Sequence, residues 1–190
     1  NNPNLYLTTE ANRQSEAAGF INGRRDYGQS NLKNYRVAAG PQTALSAGFE
    51  YRDPDYWWVG ATINYFDHTY LDISPLTRTS NFADDAGSPF NDYDPVIARH
   101  LLQQERFNDY TTVNLVGGKS WKVGKKEYLS IFASVTNLFD TKYKTGGFEQ
   151  GRNANYRQLR DDRALDTPVF GNRYWNGRGT TYFLSTTFRF

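Results

Sequence analysis

Few side chains in this 190-residue chain are suited to bond-making chemistry. The two histidines, His68 and His100, have no nucleophile or second ligand at a spacing typical of a catalytic triad or a metal site. The sequence contains no cysteine, which excludes a disulfide framework and a thiolate metal site. We therefore expect no catalytic residue, no cofactor and no enzyme activity, and we interpret both histidines as ordinary surface or loop residues.

Four acidic side chains lie close together in the sequence between residues 84 and 94. Clustered carboxylates are ligands that Ca²⁺ accepts, but their spacing matches no EF-hand loop. Solvated loop charge is the simpler interpretation, and we predict no metal site. The four residues are Asp84, Asp85, Asp92 and Asp94.

The stretch 140–178 is rich in arginine and in aromatic rings. Its arginines could hold an anionic substrate or lipopolysaccharide phosphates through paired hydrogen bonds. The alternative, which we favour, is an ion-pair network that orders a long loop. The network would comprise Arg152, Arg157, Arg160, Arg163, Arg173 and Arg178 with Glu149, Asp161, Asp162 and Asp166. The candidates for ligand contact are Tyr156, Tyr174, Trp175 and Arg152, with ring packing between loops as the competing interpretation.

Period-two alternation marks the segments that must position these loops. Residues 43–66 alternate between an apolar and a more polar face on both sides of an Asp-Pro-Asp turn, which predicts a β-hairpin. Residues 110–139 repeat this plan around a Gly-Lys-Lys turn, and residues 179–190 predict a terminal strand.

The apolar faces have their largest rings near the strand ends and small aliphatic residues between them. This distribution is typical of strands that cross a membrane, whereas a soluble core more often has bulk at its centre. We predict a girdle at the lipid interface that consists of Tyr51, Trp57, Tyr65, Trp121, Tyr182 and Phe188. Lys119 would lie near an interface, where its long side chain can reach water. Trp58 would point inward.

Composition and connections narrow the fold class. Mean hydropathy is −0.76 although 16% of residues are aromatic, and no run approaches the ~20 apolar residues of a membrane helix. A soluble β-protein with sugar-binding loops and a membrane β-barrel both fit these values. The turns at 53–55 and 122–126 are short, whereas 1–42, 72–108 and 140–178 are long and polar, which favours a barrel. We predict an all-β fold, a transmembrane antiparallel β-barrel segment with long extracellular loops and a periplasmic C-terminus.

A short helix is predicted within the second long loop. Asp94 as N-cap and Pro95 in the first turn favour a helix that runs to about Gln104. Val96, Ile97, Leu101 and Phe107 would pack this helix against neighbouring loops.

The stretch Ser134–Tyr143, SVTNLFDTKY, resembles the penultimate-strand motif of TonB-dependent outer-membrane receptors. In that family Asn-Leu-Phe-Asp closes the strand and Lys-Tyr opens the last loop. The terminal strand resembles the family's last strand, whose final aromatic residue, here Phe190, is recognised by the barrel-assembly machinery. Residues 146–156, 168–175 and 179–184 are similar to receptors from Bacteroidota. The resemblance covers most of the chain from about residue 40 to 190.

The resemblance implies a 22-stranded barrel with an N-terminal plug, of which this chain supplies the last five strands. It implies active transport of a scarce ligand across the bacterial outer membrane with energy from TonB–ExbB–ExbD. The implied partners are the rest of the barrel, the plug, the assembly machinery, the lipid bilayer and a surface lipoprotein. Because the chain contains no Met, we expect a piece of a longer protein whose plug and TonB box precede residue 1. The Asp-Thr-Lys-Tyr sequence departs from the sugar-importing SusC branch, so we assign no glycan cargo.

Other classes remain open from the sequence. A passive porin or structural barrel would share the girdle but lack the plug. A receptor-like subunit of a larger outer-membrane complex would have transport as a secondary role. A soluble all-β lectin would bury the face of Leu45, Phe49 and Ile63 inside a sandwich. The balance of 22 basic and 20 acidic residues gives no reason to expect a nucleic-acid partner.

Overall fold

The computed structural model describes residues 29–85, 88–151 and 154–190, and the backbone of three short strands before them. The described chain is mostly antiparallel β-sheet with two short α-helices, an all-β fold. None of the described helices is long and apolar enough to cross a membrane. In chain order the elements are β1 (Tyr6–Thr8), β2 (Phe20–Ile21), β3 (Arg24–Asp26), β4 (Thr43–Asp53), β5 (Trp57–Asp67), β6 (Asp84–Asp85), β7 (Ser88–Pro89), α1 (Pro95–Leu101), β8 (Tyr110–Lys122), β9 (Tyr128–Thr136), β10 (Lys144–Phe148), α2 (Tyr156–Arg163), β11 (Arg173–Asn176) and β12 (Thr181–Arg189).

Two compact units make up the chain. The first, here named the loop unit, comprises Asn1–Ala38, Tyr70–Glu105 and Gly147–Tyr174. The second, the sheet unit, comprises Ala39–Thr69, Arg106–Gly146 and Trp175–Phe190. The long predicted loops supply the first unit, and the predicted hairpins and terminal strand supply the second.

The sheet unit contains a five-stranded antiparallel sheet in the order β12–β9–β8–β5–β4. Among these five long strands, each pairs with the one that comes next along the chain, so the sheet is a simple meander. In the described part of the chain, β4 and β12 each have a strand neighbour on one side alone. The sheet therefore has two open edges.

The turn between β4 and β5 fixes the register of the first hairpin. The Tyr56 N–H donates to the Asp53 carbonyl at 3.2 Å, and the Asp55 N–H donates to the Asp53 carboxylate at 2.9 Å. Tyr56 has φ 61°, the left-handed conformation that ends a three-residue hairpin loop. The register that follows pairs Tyr51 with Val59 and Ala47 with Ile63, and a slip of one residue would turn every side chain of a strand to the other face.

The loop unit has a small aromatic core between its two helices. Asp94 caps α1 by accepting hydrogen bonds from the Val96 N–H at 2.7 Å and the Ile97 N–H at 3.3 Å. Asn155 and Gln158 form a capping box at the start of α2, with both hydrogen bonds at 3.0 Å. The buried residues of the core are Phe82, Phe90, Ala98, Ala154, Tyr156 and Leu159.

The predicted helix is confirmed at its start, and its predicted packing is wrong for Val96 and Ile97 but not for Leu101, which packs against the core. α1 begins at Pro95 behind the Asp94 cap, but it ends at Leu101. Val96 and Ile97, which were expected to pack, are exposed, whereas Ala98 is buried in the core. A seven-residue helix has room for one narrow buried stripe, and Ala98 and Leu101 form it.

Burial differs sharply between the two units. Of the eight described hydrophobic residues that are buried, seven belong to the loop unit, and Phe107 is the one from the sheet unit. Five long strands thus contribute almost nothing to a buried core among the described residues. The sheet unit leaves its large apolar side chains open on its surface.

Candidate functional site

One face of the five-stranded sheet is apolar and exposed, and we name it the apolar face. Leu45 is 63% exposed, Ile63 49% and Leu184 69%. The register aligns cross-strand neighbours on this face, for example Val59 beside Gly117 and Ala133 beside Leu184. Its central members are Leu45, Phe49, Val59, Ile63, Leu115, Ile131, Val135 and Leu184.

The predicted girdle residues lie near the ends of the apolar face. Tyr51 and Trp57 are beside the β4–β5 turn, with ring centroids 5.3 Å apart. Trp121 and Phe188 occupy the same end of their strands, and Tyr65 and Tyr182 the opposite end. All six rings are exposed or half-buried. Phe190 follows β12 and is 95% exposed. Contact of these rings with lipid stays a prediction.

Charges on the apolar face are confined to the strand ends. Lys119 is paired in register with Trp57, and its Nζ lies 5.8 Å from the centroid of the Trp121 ring. Asp53 and Asp67 are the last residues of β4 and β5. The middle of the face contains aliphatic, aromatic and small side chains.

The opposite face of the sheet is more polar but contains an aromatic row. Trp58 lies 6.0 Å from Phe132, which in turn lies 5.9 Å from Phe183. The Trp58 indole passes over Gly118, where a Cβ would come within 2.8 Å of the indole nitrogen. Serine, threonine and asparagine are frequent on this face, as in the 2.9 Å hydrogen bond from Ser46 to Asn64, and the face also has the ion pair of Glu50 and Arg52.

The Asn-Leu-Phe-Asp motif forms a corner that ties the end of β9 to the start of β12. Asn137 is buried with φ 51°, and its side chain makes three hydrogen bonds. The amide oxygen accepts from the Thr141 N–H at 3.0 Å, and the amide nitrogen donates to the carbonyls of Thr141 and Arg178 at 3.0 and 3.1 Å. The Thr180 hydroxyl donates to the Asn137 carbonyl at 2.8 Å.

Asp140 completes this corner. Lys142 donates to both of its carboxylate oxygens, at 2.9 and 2.8 Å, and the Thr180 N–H donates at 3.2 Å. These contacts lower the pKa of Asp140, with the Lys142 hydrogen bond as the largest cause. The motif therefore fixes the direction in which the chain leaves one strand and enters the next.

The residues predicted for ligand contact have different surroundings where the structure describes them. Tyr156 is completely buried in the core of the loop unit, so its assignment to ligand contact is corrected: its ring packs between loops. The Tyr174 hydroxyl donates to Glu105 at 2.6 Å. Trp175 is 58% exposed, and its ring lies over Gly146. Arg152 lies outside the described residues.

The predicted arginine network exists in part, with its main acceptor on another loop. Arg157 and Arg160 hold the two carboxylate oxygens of Asp92 at 2.7 and 2.8 Å. Hydrogen bonds from Arg160 and then Arg157 lower the pKa of Asp92 to about 2. Asp162 instead accepts from the backbone N–H groups of Val169 and Phe170, at 2.7 and 2.9 Å, which fixes the chain after α2.

A buried ion pair in the loop unit joins Glu149, one of the acids predicted to pair with arginine, to Arg78, which was not identified from the sequence. The Arg78 side chain is 2% exposed and forms a two-pronged contact with Glu149. Its guanidinium also donates to the Leu102 carbonyl at 2.8 Å and lies 4.9 Å from the centroid of the Tyr35 ring. Breaking this pair would leave the buried Arg78 charge without a partner, which is costly, so the pair holds the loop segments of residues 78, 102 and 149 together.

His68 and two of the loop acids, Asp92 and Asp94, make contacts within the fold. His68 has φ 57°, and its Nδ1 lies 3.2 Å from the Thr43 hydroxyl. Asp92 is held by arginines and Asp94 caps a helix. Among the described residues, no three His, Cys, Asp or Glu side chains gather in a way that could hold a metal ion.

Comparison of the chain with protein-family models, with curated proteins and with solved structures finds no match.

Proposed function

We propose that the five-stranded sheet is part of the wall of a transmembrane β-barrel in a bacterial outer membrane. The observation that carries this proposal is the apolar face, where Leu45, Ile63 and Leu184 are exposed. Water-soluble proteins seldom expose one large continuous apolar surface, because leaving it in water costs roughly 25 cal/mol per Å². A hydrocarbon environment removes that cost.

Strand length and the distribution of charge support the same proposal. β4 and β5 have 11 residues each, which at about 3.3 Å per residue and a tilt of about 45° span about 25 Å. That height matches the apolar band of outer-membrane barrels. The charged residues Asp53, Asp67 and Lys119 lie at strand ends, where they would reach the polar interface.

The open edges of β4 and β12 require further strands in this setting. In lipid, an unpaired backbone N–H or C=O costs several kcal/mol, so a sheet must close on itself. Five strands are too few for closure, since the smallest such barrels have eight. We infer that additional strands pair with both edges to close a barrel.

We further propose that the barrel belongs to a TonB-dependent receptor and takes part in active uptake of a scarce ligand. The support is the resemblance of Ser134–Tyr143, whose Asn137 and Asp140 build the corner between β9 and β12. The partners would be a plug, the TonB–ExbB–ExbD complex, the assembly machinery acting on Phe190, and a surface lipoprotein. A passive or structural barrel, or a receptor-like subunit of a larger complex, is the alternative.

Lipid contact can be tested with two neighbouring tryptophans on opposite faces. Variants of the full-length protein that retain either Trp57 or Trp58, with every other tryptophan replaced by Phe, are reconstituted with brominated phospholipids. We expect strong quenching of Trp57 fluorescence and little quenching of Trp58. Equal quenching, or none at Trp57, would contradict the proposal. Energy-dependent ligand uptake that stops when TonB is deleted would then separate a receptor from a passive barrel.

A further inference from the structure

A cleft of about 750 Å³ lies beside α1 in the loop unit. Its volume falls within the range of small-molecule sites. Its lining of rings, aliphatic groups and a few polar side chains is also typical of such sites. The side chains that line it include Tyr35, Tyr93, Val96, Arg99, His100 and Gln103.

The two aromatic walls of the cleft are fixed in place. The Tyr35 hydroxyl donates to the Leu102 carbonyl at 2.9 Å, and the buried guanidinium of Arg78 lies 4.9 Å from the centroid of its ring. The Tyr93 ring packs edge-on against buried Tyr156, with centroids 4.9 Å apart. A ligand that binds between such rings does not have to order them first, which lowers the entropy cost of binding.

The described lining of the cleft has a positive charge. Among the described residues, the guanidinium of Arg99 lines the cleft and no carboxylate does. The three acids nearest to Arg99 in sequence already have partners: Asp94 accepts from the N–H groups of α1, Glu105 accepts from the Tyr174 hydroxyl, and Asp92 is held by two arginines. Within the part of the chain that the structure describes, Arg99 pairs with no carboxylate.

We propose that this cleft binds a small organic anion with a flat aromatic body. The ring of the ligand packs between Tyr35 and Tyr93 and over Val96, and its carboxylate accepts the paired N–H groups of Arg99. Gln103 supplies a further donor. The inference goes beyond the proposed function, because the site lies in the loop unit and its binding does not depend on whether the sheet contacts lipid.

The test uses 2-naphthoate and its neutral analogue 2-naphthamide as probes of the full-length protein in detergent. Isothermal titration, with protein-free micelles as the blank, gives both affinities. We expect naphthoate to bind at least about tenfold more tightly than naphthamide, because a charge-assisted pair contributes about 1.5–3 kcal/mol and 1.4 kcal/mol is tenfold. Arg99→Gln should abolish that preference. Tyr93→Ala should weaken both probes.

Arg163→Gln is the matched control, because Arg163 is an exposed arginine of α2 that does not line the cleft. It should leave both affinities unchanged. The proposal is overturned if naphthoate does not bind in the millimolar range, if the two probes bind equally, or if Arg163→Gln weakens naphthoate as much as Arg99→Gln does. Circular dichroism of each variant verifies folding, and the milder Tyr93→Leu replaces Tyr93→Ala if the latter misfolds. None of these outcomes bears on lipid quenching of Trp57.

Discussion

Replacing Leu184 by arginine distinguishes a lipid-facing sheet from one that faces water. Leu184 is 69% exposed and lies one residue from the centre of β12 (Thr181–Arg189). If its side chain meets hydrocarbon, Leu184→Arg should cost about 2–4 kcal/mol, the usual penalty for arginine near the bilayer midplane. At 1.36 kcal/mol per tenfold change, the folding equilibrium falls by about 30- to 1,000-fold. An exposed leucine in water would tolerate the same change within about 0.5 kcal/mol.

Ser185 offers a control at the same depth. It neighbours Leu184 but points to the opposite face, in register with Phe132. Ser185→Arg should therefore cost little beyond local crowding, and Phe188→Arg, near the strand end, should cost only about 0–1 kcal/mol. The full-length protein would be folded into phospholipid vesicles and titrated with denaturant, with tryptophan fluorescence as the readout.

The prediction is contradicted if the free-energy cost of an introduced arginine does not depend on the face of β12 and on the distance from the strand end. Equal costs for Leu184→Arg and Ser185→Arg would mean that the two faces of β12 meet the same environment. A neutral Leu184→Arg in vesicles would place the apolar face in water or in a polar interface.

Two further predictions concern buried polar groups. Asn137→Ala should lower the free energy of unfolding by about 2–6 kcal/mol, because three side-chain hydrogen bonds are lost at about 0.5–1.5 kcal/mol each and alanine strains a left-handed position. Asn114→Ala, which loses a single bond, should cost about 1 kcal/mol in the same denaturant titration. Glu149→Ala should cost about 3–5 kcal/mol and make the loop unit sensitive to protease, because it leaves the Arg78 charge buried and unpaired. The double variant Arg78→Met, Glu149→Leu should restore much of the protease resistance, and a double variant as sensitive as the single one would contradict this explanation.

The sheet was predictable because its signals are local. Alternation over about ten residues located β4, β5, β8, β9 and β12, and the Asp-Pro-Asp stretch located the first turn. Each of these signals depends on neighbouring residues in one strand or one turn. The ends of the strands could also be predicted, because aromatic and charged residues mark them in the sequence.

The loop unit was less predictable because its contacts join distant residues. Arg78 and Glu149 are 71 residues apart, and no local pattern marks either as buried. Tyr156 was assigned to ligand contact from its residue type, but tyrosine serves equally well in a core when its hydroxyl finds a partner, here the Asp94 N–H at 3.2 Å. One signal was overlooked: Asn155 and Gln158 have the spacing of a capping box, which predicts the start of α2.

The contrast between the two units explains why mean hydropathy is uninformative for this chain. The value of −0.76 averages side chains without regard to the face on which they lie. In the loop unit, aromatic residues such as Phe82 and Phe90 are buried beneath polar loops, as in a small soluble domain. In the sheet unit, only alternate residues of each strand lie on the apolar face, so the described strands contain no apolar run as long as a membrane helix requires. The barrel wall proposed for this sheet would meet hydrocarbon on one side alone, and such a wall needs apolar residues at only every second position of each strand.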